Sequence, residues 1–171
     1  VEQLLILTRY EEGKSSLNYD YYSIEDMINN SFCLFSDPVL SRNLDISTTV
    51  SPQNITVYTD EYSLSTILNN LISNAVKYCN NQGSINIQAY EETNVLVIEI
   101  KNTGQGIPQE ELESIFDKFY RSYASEKTEI KGFGLGLPIV KRFCSLLNIK
   151  IGITSELNKY TVVKLSIPIH K

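Results

Sequence analysis

Residues 69–78 read Asn69-Asn70-Leu71-Ile72-Ser73-Asn74-Ala75-Val76-Lys77-Tyr78, and their spacing decides the fold around them. Leu64, Leu68, Leu71, Ile72 and Ala75 fall on one face of a helix, while Asn70, Asn74 and Lys77 stand at i, i+4 and i+7 and share a polar stripe. Asparagine is a mediocre helix former because it competes for its own backbone. Two of them in mid-helix indicate that their amides are needed, although such a stripe alone also suits a solvated face. Asp60 supplies the cap, so the helix is predicted from there to about Cys79.

Upstream, Leu17 to Tyr22 alternates like a short strand, and Ser23 with Asp26 forms a capping signal for a helix carrying Ile24, Met27, Ile28, Phe32 and Leu34. Leu44–Val50 and Ile55–Tyr58 read as strands on either side of the turn Ser51-Pro52-Gln53-Asn54. Downstream, strands are predicted over Ser84–Tyr90 and Val95–Lys101, joined around Glu92-Thr93-Asn94. A helix is predicted from Pro108 to about Tyr120, with proline in a favourable first position. Residues 121–132 are polar and aperiodic. A helix over Leu137–Leu147 and strands over Lys150–Ser155 and Tyr160–Ile167 complete the chain. The pattern predicts an α+β fold: a two-layer sandwich with about three helices on one face of a mixed, mostly antiparallel sheet.

Two short stretches hold five of the eight glycines. Asn102-Thr103-Gly104-Gln105-Gly106-Ile107-Pro108 follows a strand directly, where glycine permits close approach of the backbone to a ligand. Gly132-Phe133-Gly134-Leu135-Gly136-Leu137 opens a helix, where exposed N–H groups make an anion site. The spacing is not that of a dinucleotide-binding fingerprint, and no βαβ unit precedes it. Between the two lies Ile115-Phe116-Asp117-Lys118-Phe119-Tyr120-Arg121, an aromatic patch ending in a cation.

Composition narrows the function further. Hydrophobic residues make up 42% and charged residues 20% of a 171-residue chain, as in one globular domain. The net charge of −5 argues against nucleic acid or an anionic membrane as partner. Cys33, Cys79 and Cys144 form no CxxC pair, which speaks for reduced thiols in a cytoplasm. His170, the single histidine, is penultimate and reads as a tail residue. No apolar run reaches the roughly 18 residues of a membrane span, so direct membrane insertion is not expected. The apolar spacing of Val1, Leu4, Leu5 and Thr8 starts without a cap, as in a fragment of a longer chain.

Taken in order, these stretches resemble the ATP-binding domain of sensor histidine kinases, in the superfamily that includes type II topoisomerases, mismatch-repair ATPases and a heat-shock chaperone. Asn70–Tyr78 matches the N box, Asn102–Pro108 the G1 box, Ile115–Arg121 the F box and Gly132–Leu137 the G2 box. The resemblance implies a Bergerat-type sandwich over residues 15–171, with residues 1–14 as the end of an upstream dimerisation or linker helix. It implies ATP and Mg²⁺ as ligands. Asn74 then coordinates the metal, Asn70 lies beside the phosphates, and Lys77 and Arg121 offset phosphate charge. Tyr78 packs near adenine, which the residue at position 102 reads. Gly104, Gly106, Ile107, Phe119, Tyr120, Gly132, Gly134, Leu135, Gly136 and Leu137 complete the nucleotide site, and residues 121–131 form its lid. The implied partners are a histidine-bearing dimerisation domain upstream, homodimeric in the full-length protein, and a response regulator.

Departures from the family pattern matter. Asn102 replaces the usual aspartate, so adenine recognition loses charge assistance. Phe133 replaces a small polar residue, and Leu147-Asn148 stands where a His-Gly-Gly-like turn is frequent. In the hydrolytic relatives a glutamate four residues before the metal asparagine activates water. Here that position is Asn70, which cannot act as a base near neutral pH. The resemblance therefore favours transfer to another nucleophile over hydrolysis. The phosphoacceptor histidine itself is not in this sequence. The alternatives are an anti-sigma-type serine kinase and a degenerate ATP-binding module that regulates by contact.

Overall fold

In the computed structural model the described residues are 16–120 and 134–169, with residues 5, 8 and 12. The fold is organised by one acidic cap. The Asp60 carboxylate accepts the Ser63 backbone N–H at 2.9 Å and the Ser63 hydroxyl at 2.6 Å, while its other oxygen accepts the Asn18 N–H at 2.9 Å. These bonds start helix α3 (Glu61–Tyr78) and tie it to strand β1 (Tyr19–Ser23), which pairs antiparallel with β3 (Thr56–Asp60). Ser23 caps helix α1 (Ile24–Cys33) through the Asp26 N–H at 3.2 Å, as the sequence predicts.

The five-stranded sheet runs β2 (Asp45–Ser51), β4 (Ser84–Glu92), β5 (Val95–Thr103), β7 (Tyr160–Pro168), β6 (Lys150–Glu156). Only the β2–β4 pair is parallel. Ile85, Ile87 and Ala89 of β4, Leu96, Ile98 and Ile100 of β5, and Leu165 and Ile167 of β7 all turn inward and are buried. Helices α1, α3 and α4 (Gly136–Leu146) bring the opposing layer, including Ile24, Ile28, Leu64, Leu68, Leu71, Ile72, Val140 and Phe143. Alternation in the strands and a 3.6-residue stripe in the helices thus close over one core, which is the expected two-layer mixed α+β sandwich.

One local expectation needs correction, and two further features carry no signal in the sequence. No helix spans Pro108–Tyr120; instead there are two 3₁₀ turns, Gln109–Glu111 and Ser114–Phe116. Leu112, Ile115, Phe116 and Phe119 have helical spacing, but only Ile115 is buried. The backbone at Asp117 is extended and Phe119 has φ +66°, so the Phe119 N–H leaves the local ladder for the Gly134 carbonyl at 3.0 Å. A short helix, α2 (Ser36–Ser41), was not legible, because its six residues bury no side chain and carry no periodic signal. The neighbouring strands β2 and β3 do not pair with each other but enter different sheets.

The turn at Leu147-Asn148 is resolved by backbone geometry. Asn148 has φ +57°, the Ile149 N–H returns to the Cys144 carbonyl at 2.8 Å and the Asn148 N–H to that of Ser145 at 3.3 Å. This is the six-to-one closure of a helix C-terminus, and asparagine takes the left-handed position in place of glycine.

Candidate nucleotide site

The long helix α3 presents Asn70 and Asn74, both half-buried, one turn apart. The Asn70 amide nitrogen donates to the Thr66 carbonyl at 2.8 Å, which fixes the plane of the carboxamide. Opposite stands the first residue of α4. A Cβ on Gly136 would lie 3.2 Å from Asn70 Oδ1 and 4.0 Å from Asn74 Oδ1. Leu135, the N-cap of α4, provides no side-chain acceptor, and the positive end of this helix stands beside two amide oxygens. Leu137 follows in the first turn, and it and Leu135 are half-buried against the core.

A second grouping lies at the C-terminus of α3, one to two turns beyond Asn70 and Asn74. Asn102 ends the inward-facing row of β5 and is 6% exposed, a carboxamide in line with Leu96, Ile98 and Ile100. Its amide nitrogen donates to the Thr103 carbonyl at 3.1 Å. Gly104 forms a bridge with Cys79 and donates its N–H to the Lys159 carbonyl at 3.1 Å. A Cβ on Gly104 would stand 2.1 Å from the Tyr78 carbonyl oxygen and 3.3 Å from Asn102 Nδ2. Only glycine permits this approach, so Tyr78, Asn102 and Gly104 share one wall.

Gly106 is used differently. Its φ is +67°, and an added Cβ would meet the Glu156 carbonyl oxygen at 2.3 Å. The next N–H, that of Ile107, donates to Ser155 Oγ at 2.8 Å, and the Ser155 hydroxyl donates to the Tyr160 carbonyl at 2.7 Å. Gly106 and Ile107 thus anchor the loop to the β6–β7 end of the sheet. The sequence carried no sign of the Ser155 anchor, because a lone serine at a strand end is unremarkable.

The remaining candidates divide. Phe119 is 71% exposed and its N–H is held by Gly134, whose own added Cβ would meet the Tyr120 carbonyl oxygen at 2.6 Å. Tyr120 is half-buried. The Lys141 ammonium sits 5.4 Å from the Phe116 ring centroid, linking this aromatic segment to α4. Lys77 is exposed on the last turn of α3. Arg121, Gly132, Phe133 and the expected lid at 121–131 lie outside the described residues, as does most of the segment 1–14. Among the described residues no group of three or more His, Cys, Asp or Glu side chains gathers as a metal cluster. The donor set here is instead amide oxygen, which suits a hard cation that keeps waters and phosphate oxygens as its other ligands.

Residues 59–171 match the family model described as histidine kinase-, DNA gyrase B- and HSP90-like ATPase, and the chain belongs to that family. Over 173 residues it is 31% identical to the sensor protein RprX of Bacteroides fragilis (strain YCH46), covering 100% of this chain and 33% of that one. The chain therefore spans about a third of that relative's length. The nucleotide-free catalytic domain of histidine kinase ThkA superposes with a TM-score of 0.77 at 24% identity, covering 88% of this chain and 95% of that one. ThkA in complex with the response regulator protein TrrA gives 0.72 at 21%, over 99% and 48%. Full-length ShkA in complex with AMPPNP gives 0.81 at 24%, over 97% and 34%.

Proposed function

We propose that this chain binds Mg-ATP and donates the γ-phosphate to a histidine on a dimerisation domain lying upstream in the full-length protein, as part of two-component signal transduction. The observation that carries the reading is the facing of Asn70 and Asn74 by the start of α4, whose N-cap Leu135 makes no side-chain hydrogen bond to it. Amide oxygens for a cation and helix N–H groups for an anion stand side by side, which is what a metal–phosphate ligand needs. Mg-ATP supplies the transferable phosphoryl group, with the metal neutralising charge that develops between its phosphates.

The residues divide the work. Asn74 offers its oxygen to the metal, and Asn70, braced on Thr66, lies beside the phosphates. Gly136 and Leu137 direct backbone N–H groups at them, with Gly132, Gly134 and Leu135 shaping the approach. Lys77 and Arg121 offset phosphate charge. At the far end Asn102 reads the base, while Tyr78 and Gly104 form the wall beside it. Gly106 and Ile107 hold that loop in place, and Phe119 and Tyr120 close the side toward α4. Asn70 stands where the hydrolytic relatives place a glutamate, so no base in the set activates water and the phosphoryl group is kept for an incoming imidazole nitrogen.

A response regulator is the proposed downstream partner; ThkA, similar in fold, is known in complex with one. The proposed location is the cytoplasm, where ATP is available. No helix among the described residues is long and apolar enough to cross a membrane. The test is to mix the chain with the histidine-bearing domain from its own upstream sequence and radiolabelled ATP. Label on that histidine, with very slow phosphate release from the chain alone, is the expected result. Release at the rate of a dedicated ATPase, without transfer, would overturn the reading.

A further inference from the structure

Among residues 16–76 the sequence holds one lysine or arginine, Arg42, against seven aspartates and glutamates. It follows α2 and is half-buried, and its guanidinium reaches across to the C-terminus of α3. Nη1 donates to the Val76 carbonyl at 2.5 Å, Nη2 to the Cys79 carbonyl, and Nε to Asn81 Oδ1 at 2.9 Å. The Arg42 carbonyl in turn accepts the Gln82 N–H at 2.9 Å. The last carbonyls of a helix lack intrahelical donors and carry the negative end of its dipole, so a charged, rigid fork is well matched to them.

The two clamped carbonyls bracket Lys77 and Tyr78. Tyr78 presents the carbonyl against which Gly104 is pressed, Cys79 bridges to Gly104, and Gly104 abuts the Asn102 amide. A continuous set of contacts therefore runs from Arg42, through the end of α3, to the wall assigned to the base. The Asn70–Asn74–Gly136 grouping lies one to two turns earlier and makes none of these contacts. We infer that Arg42 is a positioning residue for base recognition: it fixes the end of α3 so that Tyr78, Gly104 and Asn102 hold their places. The inference rests on the ATP-binding reading.

A residue that only stabilised the fold would affect all ligands of the folded protein alike, or none. The test is therefore a split between two ligands. Arg42→Met and Arg42→Lys are titrated calorimetrically with ATP and with inorganic tripolyphosphate, both with magnesium, at a temperature where circular dichroism shows each variant folded. Arg42→Met is expected to weaken ATP by about tenfold, the scale of a lost charge-assisted hydrogen bond, and to weaken tripolyphosphate far less, because that ligand keeps Asn70, Asn74 and the start of α4 and senses the change only through Lys77. Arg42→Lys, which cannot span three acceptors, is expected to recover part of the loss. Unchanged ATP affinity, or equal loss for both ligands, overturns the inference. If Arg42→Met does not fold, Arg42→Lys carries the same comparison, and wild-type affinity for ATP in it overturns the inference. Failure of the unaltered chain to bind ATP overturns the nucleotide reading itself, and this inference with it.

Discussion

A side-chain carbon on Gly136 would stand 3.2 Å from Oδ1 of Asn70, closer than ordinary van der Waals contact. The start of α4 is thus seated directly on the polar stripe of α3, and a methyl group fits there only if the Asn70 amide gives way by a few tenths of an ångström. Alanine at this helical position gains up to about 1 kcal/mol of propensity over glycine, so Gly136→Ala need not lose stability. It does displace the Asn70 amide. The expected outcome is a melting temperature equal to or above wild type with ATP affinity lowered about tenfold, the cost of losing one good polar contact. Calorimetry and thermal melts on the same sample decide it, and unchanged affinity contradicts the arrangement.

Asn74→Ala separates function from fold in the same way. Asn74 is half-buried and outside the core cluster, so its removal leaves no apolar cavity. Stability is expected within about 0.5 kcal/mol of wild type, as for surface substitutions. Magnesium-dependent nucleotide binding is expected to disappear. If affinity persists in the presence of magnesium, Asn74 is only part of a solvated helix face.

The carboxamide at position 102 sets a prediction about base choice. An aspartate there favours the adenine amino group and repels the guanine carbonyl, whereas an amide can turn its NH₂ toward that carbonyl. In this chain the Asn102 NH₂ donates to the Thr103 carbonyl at 3.1 Å, so turning it costs one neutral bond. Asn102→Asp is expected to raise ATP affinity, by about 1 kcal/mol for a charge-assisted bond, and to lower GTP affinity. Competition between the two nucleotides for wild type and variant is the measurement. An unchanged ratio with unchanged ATP affinity means that Asn102 does not read the base.

Cysteine chemistry tests the core independently of any ligand. Burial pushes the Cys144 thiol up to about 12, and Cys79 is also buried, whereas Cys33 is exposed. Since the thiolate is the reactive form, iodoacetamide at pH 8 is expected to label Cys33 alone in the folded chain and all three cysteines in denaturant. Labelling of Cys144 at the rate of Cys33 under native conditions would contradict the packing of α4.

Much of this was readable in the sequence because local and tertiary demands agree. The stripe of Leu64, Leu68, Leu71, Ile72 and Ala75, the Asp60 cap and the alternation of β4 each point one way, and each is realised. The hairpin at Thr93-Asn94 was equally plain, and both residues have positive φ. What failed was decided by contacts distant in sequence. The segment after Pro108 has helical spacing, but the Gly134 carbonyl captures the Phe119 N–H and the helix does not form. Arg42 and Ser155 went unnoticed because their partners, the carbonyls ending α3 and the Ile107 N–H, lie 34 to 48 residues away. The glycines were recognised as a group, but not their division of labour. Gly104 and Gly136 border the proposed ligand, and Gly106 packs against the β6–β7 turn.

In the proposed function Asn70, Asn74 and the start of α4 hold a metal-bound nucleotide. Calorimetric titration of ATP into the unaltered chain, once with magnesium and once with a chelator, tests it most directly. One-to-one binding is expected with magnesium, and an affinity at least about tenfold lower without it, since the amide oxygens engage the nucleotide through the metal. Absence of binding in both conditions, or equal affinity in both, would contradict it.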